Sequence, residues 1–264
     1  MKKRKEKIFK KYAALLGICV LMGGLAAGCG KTEGDAMEAR EETFAGAQAF
    51  SKALFAKGMA ETNPVESPVS AYLAMALAGE GAKGDTAAEF DAVMGTGRQA
   101  MSQAFMQTYP CETEGTQIAL ANSAWLDDRL TCEADWLETA SKYYLAQVQQ
   151  TRLSDPETME RINVWVQENT RGLIKAFLQE PLDDMTRVAL FNTVYFKGKW
   201  QSAFSASATG KLPFTRADGM QTEVDMMRKT GNMYYVQGIA GGAGKSYDGV
   251  ALPYRDSELL FVAV

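Results

Sequence analysis

The sequence predicts an α+β fold, and three observations carry that expectation. Two segments, 118–126 (IALANSAWL) and 186–196 (TRVALFNTVYF), are short and apolar on both faces, the pattern of strands covered on both sides. Ala71 to Ala78 is apolar nearly all round, which marks a buried helix. Strands and helices then mix without strict strand–helix–strand alternation, which points away from a doubly wound parallel sheet. At 264 residues, 47% of them hydrophobic and 23% charged, the chain can bury a sizeable core.

The first 43 residues stand apart. Residues 1–28 hold seven basic side chains against the single Glu6, and Tyr12 to Ala27 runs without a charge. That run is shorter and richer in glycine than a membrane-spanning helix, and behind a basic start it reads as a secretory signal peptide covering 1–28. Leu25-Ala26-Ala27-Gly28-Cys29 resembles the lipobox of bacterial lipoproteins, in which the cysteine is lipidated and becomes the new N-terminus. Ala26 stands where that motif usually has leucine. Residues 29–43 are polar and small, as a tether from membrane to domain should be. With the overall charge at −4 and residues 1–28 at +6, the remainder carries −10, a poor match for nucleic acid.

Along the body, Phe44, Phe50, Leu54 and Phe55 share a helical face. Ser67-Pro68-Val69-Ser70 opens the buried helix. Asp85 or Thr86 can cap a helix over Ala87–Met94, which Gly95 ends. Trp136–Ala146 reads as helix and Ala146–Thr151 alternates like a strand. Ser154-Asp155-Pro156-Glu157 starts another helix, along which Met159, Ile162, Val166, Leu173 and Phe177 recur at helical spacing. Gly249–Tyr254 and Leu259–Val264 are strand-like. The chain stops on the apolar Leu259–Val264, which suggests a missing continuation.

Composition removes many chemistries. Zero histidines exclude Ser-His-Asp and Cys-His nucleophiles and imidazole-bound zinc. Of four cysteines, Cys19 lies in the signal and Cys29 is the lipidation candidate. Cys111 and Cys132 remain, and both a disulfide and two inert thiols are compatible with their spacing. Gly242-Ala243-Gly244-Lys245-Ser246 lacks the first glycine of a phosphate loop, since Ile239 holds that place, and no helix follows it. Tyr247-Asp248-Gly249 reads instead as a turn. Asp127-Asp128 and Asp183-Asp184 read as solvated pairs in turns, so no catalytic carboxylates, metal site or cofactor site is expected. The four Trp and fourteen Met read mainly as core.

Asn192-Thr193-Val194-Tyr195-Phe196-Lys197-Gly198-Lys199-Trp200 resembles the most characteristic internal stretch of the serpins, suicide inhibitors of serine and cysteine proteases. Collinear matches surround it: Asn63 to Ser70, Gly81 to Thr86, Asn122-Ser123-Ala124-Trp125, Ile162 to Val166 with Thr170, Gly172 and Ile174. Phe204, Thr209, Phe214, Val224, Met226-Met227 and Leu252-Pro253-Tyr254 follow in order. The resemblance covers 44–264 and implies the N-terminal two-thirds of a serpin domain, a helical part plus large mixed sheets.

The resemblance implies a conformational mechanism. A protease cuts an exposed reactive loop, and the loop inserts as a new strand in the family's large sheet A. Ser67, Ser70 and Asn192 fall on the family's "shutter", the polar cluster where strands part, and Trp200 on its "breach", where insertion begins. Two departures follow: the reactive loop with its scissile bond, and the shutter histidine, belong to the family's last third, which is expected to be missing. The helix near Gln99–Tyr109, which binds heparin in some relatives, has no Lys or Arg, so no glycosaminoglycan is expected. The implied function is a non-enzymatic serpin-type inhibitor of a serine or cysteine protease, inactive without its loop. It would be lipid-anchored outside a bacterial membrane and monomeric when complete. The alternative is a non-inhibitory lipoprotein on the same scaffold, acting as a binding or structural module.

Overall fold

The computed structural model describes residues 33–58, 65–231, 233–240 and 245–264. The expected signal segment, Cys29, Asn63-Pro64 and Gly242–Gly244 lie outside the described residues. The chain forms two compact units: the described residues up to 111 with 118–195, and residues 112–117 with 196–264.

The first unit opens with α1 (Glu33–Gly58), so segment 33–43, expected as part of the polar tether, is helical. Ser67 caps α2 (Pro68–Gly79), with Pro68 at a position whose N–H would go unused. Tyr72, Leu73, Ala76 and Leu77 of α2 are buried, worth about 1.5–3 kcal/mol for each leucine. Next comes α3 (Gly84–Met94), which begins on Gly84 without a side-chain cap, rather than on Asp85 or Thr86. Gly95 ends α3 at φ 82°. A side chain on Gly46 of α1 would meet the Met94 carbonyl at 2.5 Å, so glycine lets the two segments touch. α4 (Arg98–Thr108) completes the helical layer. Phe50, Tyr72 and Phe105 pack edge to face at 5.5 and 5.7 Å.

The sheet follows. β1 (Cys111–Glu112) and β2 (Thr116–Asp127) precede α5 (Ala134–Tyr143), β3 (Gln147–Thr151) and α6 (Pro156–Asn169), and β4 (Val188–Gly198) comes last. β2 is central: β3 pairs with it in parallel from Ser123–Gln147 to Asp127–Thr151, and β1 and β4 also pair with it. The apolar-on-both-faces pattern is explained by alternate residues joining two cores. Leu120, Ala124 and Leu190 face the helical layer, while Ala121, Trp125, Ala189 and Phe191 face Ile162, Trp165 and Val166 of α6.

One expectation is corrected here. The helix at 156 was expected to run through Leu173 and Phe177, but it stops at Asn169. Thr170 folds its hydroxyl back onto the Val166 carbonyl, and Arg171 and Gly172 turn left-handed at φ 51° and 79°. Among the described residues β4 pairs with β2 alone, and Val188 and Val194 are exposed.

The second unit is all strand apart from the 3₁₀ turn Ala206–Ala208. β5 (Gly210–Thr215) and β6 (Gln221–Met226) form one antiparallel hairpin. β7 (Tyr234–Ala240), β8 (Lys245–Pro253) and β9 (Leu260–Ala263) form an antiparallel sheet. Tyr247-Asp248-Gly249, expected as a turn, lies inside β8, because the hairpin reverses earlier, between Ala240 and Lys245. No helix follows Ser246, in keeping with rejection of a phosphate loop. Among the described residues no helix is long and apolar enough to cross a membrane.

Candidate functional site

In the first unit, the site residues expected from the sequence fall into two hydrogen-bonded pairs. Ser67 is exposed at the start of α2, and its hydroxyl accepts the Ser70 N–H at 3.3 Å. That contact is an N-cap, a sufficient local reason for serine there. Asn192 lies on β4 and donates from Nδ2 to Asn122 Oδ1 on β2 at 2.8 Å. Asn122 in turn donates to the Tyr144 carbonyl at 2.7 Å. No hydrogen bond joins the serine pair to the asparagine pair among the described residues.

Asn122 is the residue that sequence reasoning passed over as a site, although it stands within the quoted Asn122-Ser123-Ala124-Trp125. The available signal is an amide in the middle of a strand otherwise apolar on both faces. It is buried, and its bonds cross-link β2, β4 and the end of α5. The neighbouring Tyr144 hydroxyl donates to Glu80 Oε1 at 2.6 Å. Burial, and then the Glu80 acceptor, push the Tyr144 hydroxyl well above the usual tyrosine range, so it stays neutral.

Asn192 Oδ1 is enclosed yet has no hydrogen-bond partner among the described residues, and the same holds for Thr193 Oγ1 beside it. Each such atom costs about 1–3 kcal/mol. Both sit on β4, which pairs with β2 alone among the described residues. The arrangement is therefore a polar seam between β2 and β4 with one acceptor in reserve.

Trp200 belongs to the second unit. Its ring stacks on Tyr254 at 4.8 Å and 12°, and meets Phe204 and Phe261 edge-on at 6.0 and 5.7 Å. Trp200 and Tyr254 are also joined as a lone β-bridge. Lys229 donates to the Ser202 carbonyl at 2.5 Å and sits over the Phe204 ring. A cleft of about 320 Å³ opens here, lined by Trp200, Ser202, Lys229, Tyr234 and Leu252 among others.

Of the aspartate pairs, Asp128, Asp183 and Asp184 are exposed as expected, but Asp127 is not. Asp127 is fully buried, and it binds Arg129, which also reaches Asp184. The Arg129 guanidinium holds the Asp127 carboxyl far below the usual carboxylate range, overcoming burial, and the Leu153 N–H adds to it. Asp127 and Asp184 are thus both held by Arg129. Cys111 lies on β1 and Cys132 before α5, with no disulfide between them. Burial pushes the Cys132 thiol up, which makes it less reactive. Among the described residues no His, Cys, Asp and Glu cluster could hold a metal ion.

Residues 45–264 match the family model described as "Serpin (serine protease inhibitor)". Mouse (Mus musculus) neuroserpin is 29% identical over 209 residues, covering 75% of this chain and 51% of neuroserpin. Iripin-1 of the tick Ixodes ricinus is 30% identical over 183 residues, covering 66% of this chain and 47% of Iripin-1. Among solved structures, the thermophilic serpin tengpin in its native state superposes with TM-score 0.68 at 23% identity, covering 92% of this chain and 60% of tengpin. Reaction-loop-cleaved lamprey angiotensinogen gives 0.72 at 18% identity, covering 83% and 65%. The chain spans about half the length of the curated relatives it matches. With the family model matching more than half of its residues, the chain belongs to the serpin family.

Proposed function

We propose that this chain is the sheet-bearing part of a serpin-type inhibitor of a serine or cysteine protease, acting by insertion of a cut loop beside β4. The observation that carries this is the Asn192 seam. An inserting mechanism needs a strand that can change neighbours, and β4 has a free edge and a buried acceptor without a partner. An apolar filler at Asn192 would pack the closed sheet equally well but could not exchange hydrogen bonds between two states. Ser67, Ser70 and Asn192 are the proposed shutter, and Trp200 with its stacked Tyr254 the proposed breach.

The protein is read as lipid-anchored through Cys29 after removal of residues 1–28, with 29–43 as the connection to the domain. It would act outside a bacterial membrane, as a monomer when complete, with a protease as partner and no cofactor, metal or nucleic acid. No glycosaminoglycan is invoked, and the structure supports this choice. Arg98, the sole cation of α4, is turned inward onto Asp91 and the Gly79 carbonyl. The test is incubation of the chain, extended to its relatives' full length, with a panel of serine and cysteine proteases. A covalent, SDS-stable adduct formed by the extended protein, and none by residues 1–264, is expected. Absence of any adduct with the extended protein would favour a non-inhibitory binding module.

A further inference from the structure

The eighteen residues between α6 and β4 (170–187) contain no regular structure, yet they lie against the sheet. Loops of that length in a compact unit call for a physical reason. Apolar burial does little to hold this one down. Leu173, Ile174, Phe177 and Met185 are all exposed, although the Phe177 ring meets Phe191 of β4 edge-on at 5.6 Å, and Leu178 and Leu182 pack, half-buried, against the core beneath α6. Polar bonds hold it instead, at two points.

The near anchor is Asn163 on α6. Its side chain accepts the Phe177 and Leu178 N–H groups at 3.0 and 2.8 Å and donates to the Leu178 carbonyl at 3.0 Å. The far anchor is Arg129. Its guanidinium grips the buried Asp127 carboxylate with two nitrogens. It also donates to the Asp184 carboxylate at 3.2 Å and to the Asp184 carbonyl at 2.7 Å. Ser154 Oγ adds a bond to Asp184 at 3.1 Å. One guanidinium thus joins the end of β2 to the end of the loop, while the Asp127 charge keeps that guanidinium in place.

We propose that residues 170–187 form a strap that detaches from the sheet as a unit, and that the Asp127–Arg129–Asp184 bridge is its latch. Detachment uncovers Phe191 of β4, which Phe177 meets edge-on, and the part of the Trp125, Leu153, Ile162, Trp165 and Val166 core against which Leu178 and Leu182 pack. It is expected to leave α6 seated, because Ile162, Trp165 and Val166 also cluster with Trp125 and Leu153, which lie outside the strap. A segment with few buried apolar groups and a few polar anchors opens at lower free energy than the core around it. This inference does not depend on protease inhibition.

Hydrogen exchange on the 264-residue chain tests it. Arg129→Met removes the latch. Arg129→Lys keeps a charge beside Asp127 but cannot fork to both carboxylates. Asp184→Asn alters only the exposed side. Exchange across 174–187 is expected to quicken about tenfold in Arg129→Met and Arg129→Lys, and less in Asp184→Asn. Peptides 156–169 and 118–127 should stay as protected as in the parent. An unchanged strap in Arg129→Lys would overturn the proposal, because the bridge would not then hold it. Equal loss of protection in α6 and β2 would also overturn it, making Arg129 a core support rather than a latch.

Discussion

Asn122 and Asn192 share one hydrogen bond, but removing them should have unequal effects. Asn122→Ala strips the Tyr144 carbonyl and Asn192 Nδ2 of their partners. At about 1–3 kcal/mol for each orphaned group the loss is about 2–6 kcal/mol. Asn192→Ala orphans only Asn122 Oδ1, a similar single cost, and at the same time deletes the Asn192 Oδ1 that already lacks a partner. The two effects nearly cancel, so the net change should lie within about 1 kcal/mol. Urea unfolding followed by tryptophan fluorescence reads this well, since Trp125, Trp136 and Trp165 all lie in the first unit. The midpoint should fall sharply for Asn122→Ala and little for Asn192→Ala, at equal slopes. If Asn192→Ala cost as much as Asn122→Ala, the acceptor in reserve would not exist and the seam would be ordinary packing.

Three further outcomes are expected. Asp127 has a depressed folded pKa, so its contribution is complete above the free carboxylate range of about 4 and fades as pH falls below it. Asp127→Asn should therefore be less stable than the parent at about pH 7 and 5, with the gap narrowing towards about pH 3; a gap constant with pH would contradict the ion-pair assignment. Cys29→Ser should release the protein from membranes and abolish fatty-acid labelling, whereas unchanged membrane association with an unlabelled parent would remove the lipid anchor. Residues 30–264 alone should aggregate or bind a hydrophobic dye through the free edge of β4, where Val188 and Val194 are exposed; a monomer with one sharp melting transition would show that the edge is closed.

Much of the fold was legible because period and punctuation agreed. Gly95 marks the end of α3, Asp155-Pro156 the start of α6, and the both-face apolar pattern of β2 and β4 reflects their place between two cores. Failures arose where a local rule met a tertiary one. Leu173 and Phe177 continue the helical period beyond Asn169, but Thr170 and Gly172 end the helix first, and the two side chains remain exposed. Asp127 reads as a turn carboxylate because nothing in the sequence announces that it is buried or that its neighbour Arg129 also reaches Asp184, 55 residues further on. Of the candidate site, Asn192 and Trp200 were found through resemblance. Asn122 was missed, since only the structure shows that its amide faces Asn192.

The central claim is that β4 and its polar seam accept an inserted strand. The most direct measurement is the melting temperature of the protein, extended to its relatives' full length, before and after limited cleavage of its reactive loop. Insertion adds a strand to the free edge of β4 and gives buried polar groups their partners, so the cleaved protein should melt at a clearly higher temperature. A cleaved protein that melts at the same temperature or lower would contradict the claim.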